Sequence, residues 1–212
     1  MMFVVELNRE NYEYDVHSIV KAFYAEEQVK VLTPASKEWE NEELRQNVKV
    51  CICVECDGAV IVVNNEEFHW KFAEGEDVCL SEVSGNRQET SNIAKLFKDG
   101  FKRFLYRTLS LATGKELPWG NLTGIRPTKI AYGMLEQGVS EEEILDYYQD
   151  KHYVSREKAE LSLDIAKREK ELLAKVHYEG GYSLYIGIPF CPTTCLYCSF
   201  TSYPIAAYRK LV

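Results

Sequence analysis

The pattern of apolar and polar positions in the first half of the chain predicts alternating strands and helices. Short apolar, β-branched runs predict strands at 3–7, at 29–32 and on either side of Asp57-Gly58. The Asp-Gly pair favours a tight turn, so the last two runs are predicted as a hairpin. Between the first two runs, apolar residues recur at helical spacing over 11–24, which predicts an amphipathic helix.

The polar stretch 35–46 predicts a loop or a short helix, residues 67–72 predict another strand, and the polar stretch 84–90 predicts a loop. A long helix is predicted after this loop. The run from 93 to 112 is amphipathic, and Gly114 is suited to ending it. Its predicted buried stripe consists of Leu96, Phe97, Phe101, Phe104, Leu105 and Leu109.

The middle of the chain predicts three further helices. Pro127 is suited to the first turn of a helix that runs to Gln137 and stops before a glycine. The sequence from Ser140 to Glu143 has the form of a capping box and predicts the start of the next helix. Ser155 is predicted to cap the third, which runs to about Val176.

An apolar run at 182–188 predicts a buried strand that Pro189 ends, and a loop with three cysteines follows it. A strand, a ligand-bearing loop and a helix start form the opening βα unit of an α/β barrel, whose active site lies at the carboxyl ends of the strands. The predicted fold class is therefore α/β. We divide the chain into a mixed α/β domain at 1–114, a helical connector at 115–180 and the start of a barrel at 181–212.

Composition and charge favour a globular cytoplasmic protein. The chain has 212 residues, a formal net charge of −8 and no block of lysine and arginine, so a nucleic-acid surface is not expected. No apolar run approaches the roughly 20 residues of a membrane helix. The first seven residues are too short and lack the basic region of a signal peptide.

Seven cysteines, an odd number, argue against a disulfide framework. Cys51, Cys53 and Cys56, in the run 48–56, are interpreted as small core residues in preference to a second metal site. Cys79 is the remaining cysteine outside the 191–198 motif.

The other three cysteines, Cys191, Cys195 and Cys198, have the spacing C-x3-C-x2-C. Three thiolates on one loop can hold three corners of a [4Fe–4S] cluster and leave one iron open. A zinc knuckle or core cysteines are the alternatives. Zinc needs a fourth ligand, and the nearest histidine, His177, precedes the predicted strand.

The cysteine motif resembles the signature of the radical S-adenosylmethionine (SAM) enzymes, with Tyr197 in the aromatic place. The string Tyr185-Ile-Gly-Ile-Pro-Phe-Cys191 resembles the oxygen-independent coproporphyrinogen III oxidases (coproporphyrinogen dehydrogenases), and the stretch 117–129 resembles their HemZ-type branch. The resemblance implies that the three cysteines bind a [4Fe–4S] cluster, that SAM binds its open iron, and that Tyr185 and Tyr197 lie beside SAM. For Tyr185, packing inside the barrel is the alternative.

The resemblance further implies oxidative decarboxylation of coproporphyrinogen III to protoporphyrinogen IX, with a porphyrinogen substrate and an unidentified electron donor. Phe200 stands where better-studied members carry a fourth cysteine, and the related haem chaperones also have phenylalanine there, so a haem chaperone is the alternative. The family's glycine-rich SAM loop has no counterpart after the cysteines. We therefore expect an N-terminal fragment that is inactive in isolation, and an inactive docking module is the third alternative.

Arg126 and Lys129 lie beside a predicted helix start, where carboxylates can bind. Substrate carboxylates are one candidate partner, but a structural turn with both cations paired to nearby acids is the favoured interpretation. The four histidines, His17, His69, His152 and His177, have no partner at ligand spacing and are interpreted as surface or packing residues.

Overall fold

The structure is a computed structural model that describes residues 2–72, 87–124, 126–176, 180–182, 184–193 and 195–208. The chain divides into two compact units, 1–170 and 171–212. The division at 114 and 180 that the sequence predicts stays a prediction. No helix in the described ranges is long and apolar enough to cross a membrane.

A five-stranded mixed sheet forms the first half of the larger unit. Its strands are β1 (Met2–Leu7), β2 (Gln28–Leu32), β3 (Val48–Val54), β4 (Gly58–Val63) and β5 (Glu66–Lys71). The order is β2-β1-β3-β4-β5. β1 is parallel to both neighbours, whereas β3, β4 and β5 form antiparallel pairs. The predicted α/β class and the hairpin at Asp57-Gly58 are confirmed, and the described residues contain no closed barrel.

Two helices, α1 (Glu13–Phe23) and α3 (Arg87–Thr113), pack with the sheet around the main core. A short helix, α2 (Glu42–Gln46), follows β2. On β3, alternate side chains point into the core, and these are Val50, Ile52 and Val54.

Cys51 and Cys53 lie between these core residues and are exposed, as is Cys56. Their interpretation as core residues is wrong. The two-residue period of a strand turns Cys51 and Cys53 to the opposite face of the sheet, and Cys56 lies in the turn after β3. Cys79 lies outside the described residues.

The start of α3 and its buried stripe differ from the predictions. Residues 87–90 belong to the helix, so the predicted loop is wrong there, and 84–86 lie outside the described residues. Arg87, Gln88 and Glu89 are good helix formers, which explains the longer helix. Leu96 is 48% exposed. The fully buried stripe is Phe97, Phe101, Leu105 and Leu109, at steps of four, and Leu96 is one position off it.

A second core lies among α4 (Thr128–Glu136), α5 (Glu141–His152) and α6 (Arg156–Leu173). The predicted capping box is present. The Ser140 hydroxyl accepts the Glu143 backbone N–H at 3.3 Å, and the Glu143 carboxylate accepts the Ser140 backbone N–H at 3.1 Å.

The smaller unit contains β6 (Phe190–Cys191), β7 (Tyr203–Pro204) and α7 (Ile205–Tyr208). The predicted buried strand at 182–188 is wrong: its described residues are irregular, and Tyr182, Leu184, Tyr185, Ile186 and Ile188 are 75–91% exposed. A parallel barrel strand needs neighbours that accept and donate its backbone hydrogen bonds. Within the described part of this unit, no strand pairs with 182–188.

Candidate functional site

The cysteine loop is closed at its base by a two-residue parallel ladder. Phe190 pairs with Tyr203, and Cys191 pairs with Pro204. In addition, the Tyr203 backbone N–H donates to the Pro189 carbonyl at 2.7 Å. These bonds bring the two ends of the loop together, so Cys191 stands at the base and the other two cysteines stand on the loop itself.

Three aromatic rings support this base. The ring centroids of Phe190 and Tyr208 lie 5.8 Å apart, and those of Tyr203 and Tyr208 lie 5.4 Å apart at 62°. Such edge-to-face and tilted contacts are favourable geometries for aromatic pairs. α7 thereby packs against the ladder through Tyr208, which gives the loop a small apolar foundation within this unit.

The three cysteines are free and reachable from solvent. Cys195 is exposed, Cys191 and Cys198 are half-buried, and none forms a disulfide. The Cys198 backbone N–H donates to the Cys195 carbonyl at 3.0 Å, which makes a turn between them. The Cys198 thiol donates to the Phe200 carbonyl, with sulfur and oxygen 3.8 Å apart.

The donor chemistry of this loop fits an iron–sulfur cluster, since three free thiols stand on one closed loop. Across the described residues, however, no group of three His, Cys, Asp or Glu side chains is arranged to hold a metal ion. The sulfurs would therefore have to turn toward one another upon metal binding. The assignment of Cys191, Cys195 and Cys198 as ligands stays a prediction.

The two tyrosines predicted to contact SAM are solvent-facing. Tyr185 is 82% exposed and Tyr197 is 90% exposed. The Tyr185 ring lies over Gly187, where an added Cβ would stand 3.2 Å from the Tyr185 Cε1 atom. Tyr185 precedes the cysteine loop in sequence and Tyr197 lies within it. Their role in SAM binding stays a prediction.

Of the two cations near the start of α4, Arg126 and Lys129, Arg126 forms an ion pair within the protein. The Arg126 guanidinium lies 2.9 Å from the Glu169 carboxylate on α6. The Tyr148 hydroxyl accepts the Ala131 backbone N–H at 3.1 Å and donates to the Pro127 carbonyl at 2.7 Å, and burial raises its pKa. These contacts agree with the structural interpretation of Arg126. Lys129 is exposed.

The histidines in the described ranges agree with surface and packing roles. His152 is half-buried, and its Nδ1 lies 3.0 Å from the Asn121 Oδ1 atom. Burial lowers the pKa of His152. His17 and His69 are exposed, and His177 lies outside the described residues.

Sequence analysis missed a groove in the larger unit between β5 and α3. Two arginines of α3, Arg103 and Arg107, line it together with aromatic residues from β5 and from the end of α5. The spacing of four between Arg103 and Arg107 on an amphipathic helix places both on one helix face, and this spacing is visible in the sequence.

Comparison with known proteins finds one relationship to report. The chain is 37% identical over 116 residues to the oxygen-independent coproporphyrinogen-III oxidase-like protein HemZ of Bacillus subtilis (strain 168). The matched region covers 51% of this chain and 23% of that protein, so the similarity is a distant, partial homology. No family model matches the chain, and no solved structure matches it.

Proposed function

We propose that this chain carries the cluster-binding segment of a radical SAM enzyme that acts on a porphyrinogen. The observation that carries the proposal is the C-x3-C-x-Tyr-C motif on a loop with free, accessible thiols. The partial homology to a HemZ-like protein supports the porphyrin context. The chain spans about a quarter of that relative's length, so the activity of the whole protein belongs to the proposal.

In the proposed function, Cys191, Cys195 and Cys198 hold a [4Fe–4S] cluster through their thiolates. When bound, the cluster would supply, together with SAM, an adenosyl radical able to remove hydrogen from an unactivated carbon. Each coordinating thiol must give up its proton when it binds iron. The ladder at Phe190 and Cys191 keeps the loop ends fixed while the sulfurs turn inward.

The proposed substrate is coproporphyrinogen III. Two of its propionate side chains would each lose a hydrogen atom, which ends in 5′-deoxyadenosine, and one electron, which passes to a one-electron acceptor. Each would also lose CO2 and become a vinyl group. Tyr185 and Tyr197 are the proposed contacts for SAM, because both are aromatic, exposed and near the cysteines in sequence. The cluster would need a separate electron donor to reduce it.

Phe200 favours a second candidate function, that of a haem chaperone. It is 75% exposed. It occupies the position where the better-studied oxygen-independent coproporphyrinogen III oxidases, which the chain resembles, carry a further cysteine. An exposed phenyl ring two residues after the last ligand offers apolar contact to a haem face but no thiolate. The chain would then bind haem without decarboxylating a porphyrinogen.

Anaerobic turnover of the complete natural protein separates these candidates. Coproporphyrinogen III, SAM and a strong reductant are supplied, and mass spectrometry follows the two decarboxylations and the release of 5′-deoxyadenosine. We expect both products to form in step. Tight haem binding without decarboxylation would instead assign the chaperone function. If the protein neither decarboxylates the substrate nor binds haem, the docking-module interpretation would be favoured.

A further inference from the structure

A groove in the larger unit, which we call the α3–β5 groove, combines flat aromatic walls with two arginines. It has a volume of about 360 Å³ and is lined by Trp70, Gly100, Arg103, Phe104, Arg107 and Tyr153. A second cavity of about 810 Å³ adjoins it, and both cavities share Arg107, Leu111 and Tyr153 in their linings. The total space is of the size that small-molecule ligands occupy.

The aromatic walls depend on a glycine. A Cβ added to Gly100 would stand 2.6 Å from the Trp70 Cζ2 atom, so the indole lies against α3 only because that position has no side chain. The Trp70 and Phe104 rings are stacked, with centroids 6.2 Å apart and planes at 21°. At the junction with the second cavity, Tyr153 stacks on Tyr106 with centroids 5.2 Å apart and planes at 6°. Aromatic rings therefore line both the groove and its junction with the second cavity.

The arginines of the groove differ from two lysines of the same helix. Lys98 and Lys102 lie 2.7 and 3.7 Å from the buried Asp15 carboxylate. For Arg103 and Arg107, no carboxylate of the described residues lies within ion-pair distance. The chain as a whole carries a net charge of −8, so these two guanidiniums form a local positive site on an acidic protein.

We propose that the α3–β5 groove binds a planar aromatic carboxylate of porphyrin size. A guanidinium matches the two oxygens of a carboxylate, and residues four apart on a helix stand about one turn, roughly 5.4 Å, apart. Two carboxylate arms on one ring system can therefore each meet one arginine while the ring stacks on the aromatic walls. A porphyrinogen is puckered and lacks a conjugated flat ring, so the walls favour the oxidised porphyrin over the proposed substrate.

The choice of a porphyrin rests on the proposed function, but binding to this groove does not require the cysteine loop. The test therefore uses the 212-residue chain without a cluster and the air-stable, metal-free probe coproporphyrin III. Tryptophan fluorescence quenching, with Trp70 in the groove, follows the titration. The two proposals are tested independently. If coproporphyrin III does not bind, the assignment of the cluster ligands is unaffected; if the chain holds no cluster, coproporphyrin III binding can still be measured.

We expect Arg107→Gln and Arg103→Gln each to weaken coproporphyrin III binding about three- to tenfold, the effect of removing one partly exposed charge-assisted contact. The matched control is Arg168→Gln, an exposed arginine on α6 that does not line the groove, and it should bind as the wild type does. An etioporphyrin, which lacks carboxylates, should bind weakly and respond to none of these substitutions. Thermal melts of each variant check that folding is unchanged.

Equal affinity in the wild type and both groove variants would overturn the proposal, and so would the absence of saturable binding. A loss of equal size in Arg168→Gln would show nonspecific charge attraction and also overturn it. A single-stranded oligonucleotide provides the last comparison. If it binds more tightly than the porphyrin with the same dependence on Arg103 and Arg107, the groove is a nucleic-acid site instead.

Discussion

The Asp15 carboxylate on α1 lies 2.7 Å from the Lys98 ammonium on α3, measured from Oδ2 to Nζ. The side chain of Asp15 is only 9% exposed, whereas that of Lys98 is 44% exposed. Lys102, one turn further along α3, approaches the other carboxylate oxygen at 3.7 Å. One buried carboxylate thus holds together the two helices that cover the sheet.

Replacing Asp15 should destabilise the larger unit. Asp15→Ala leaves the half-buried Lys102 without its opposite charge. We therefore expect the free energy of unfolding to fall by about 1–2 kcal/mol. This is less than the loss for a fully buried ion pair, because Lys98 is exposed. Urea unfolding measures the change. The control is Glu38→Ala, which removes the exposed pair with Lys30 and should have a much smaller effect. Equal effects of the two substitutions would contradict this role.

His152 should make stability depend on pH below neutrality. Its pKa in the folded protein is below the ordinary value of 6.5, chiefly because burial disfavours the charged ring. Below pH 6.5 the unfolded chain binds a proton that the folded chain does not bind, so the free energy of unfolding falls as the pH falls until the folded-state pKa is reached. His152→Gln should flatten this dependence between pH 7 and pH 5. The exposed His17→Gln serves as control, and equal flattening by both variants would contradict the account.

Local signals predicted most of the larger unit. The hairpin at Asp57-Gly58 and the capping box at Ser140 depend on neighbouring residues, and both are present. The solvent-facing position of Cys51 follows from the two-residue period of β3, whereas the small apolar character of cysteine favours burial, and the period decides. The groove arginines were missed because Trp70 and Tyr153, which complete the groove, come from distant parts of the chain.

The run at 182–188 shows the opposite case. Its apolar, β-branched residues are those of a buried strand, yet the described residues of the smaller unit provide no neighbouring strand and leave them exposed. A strand forms only when its backbone groups find partners, and this requirement cannot be read from the run alone. The cysteine spacing, by contrast, is a local feature, so the candidate site could be predicted without the fold.

The cysteines of β3 and the turn after it should not contribute to cluster binding. Replacing Cys53 and Cys56 together with alanine should leave the iron content of the reconstituted chain unchanged, because all three proposed ligands are on the 191–198 loop of the smaller unit. Iron analysis after removal of loose metal provides the measurement. A halved iron content would show that the C-x2-C pair holds metal and that a second site exists.

Arg126 should act through its contact with Glu169 and not through substrate. Arg126→Ala should lower the melting temperature slightly, since the pair is partly exposed, and should leave the KM for coproporphyrinogen III in the proposed reaction unchanged. Glu169→Ala should lower the melting temperature by a similar amount, and the double variant should add little. A raised KM with an unchanged melting temperature would instead assign Arg126 to substrate carboxylates.

The most direct test of the central claim is the iron and sulfide content of the chain after anaerobic reconstitution. We predict one [4Fe–4S] cluster per chain, that is about four iron and four sulfide, held by Cys191, Cys195 and Cys198. Alanine at any one of these positions should abolish stable loading, whereas the Cys53→Ala, Cys56→Ala variant should load fully. Full iron and sulfide content in a Cys191→Ala, Cys195→Ala double variant would contradict the assignment.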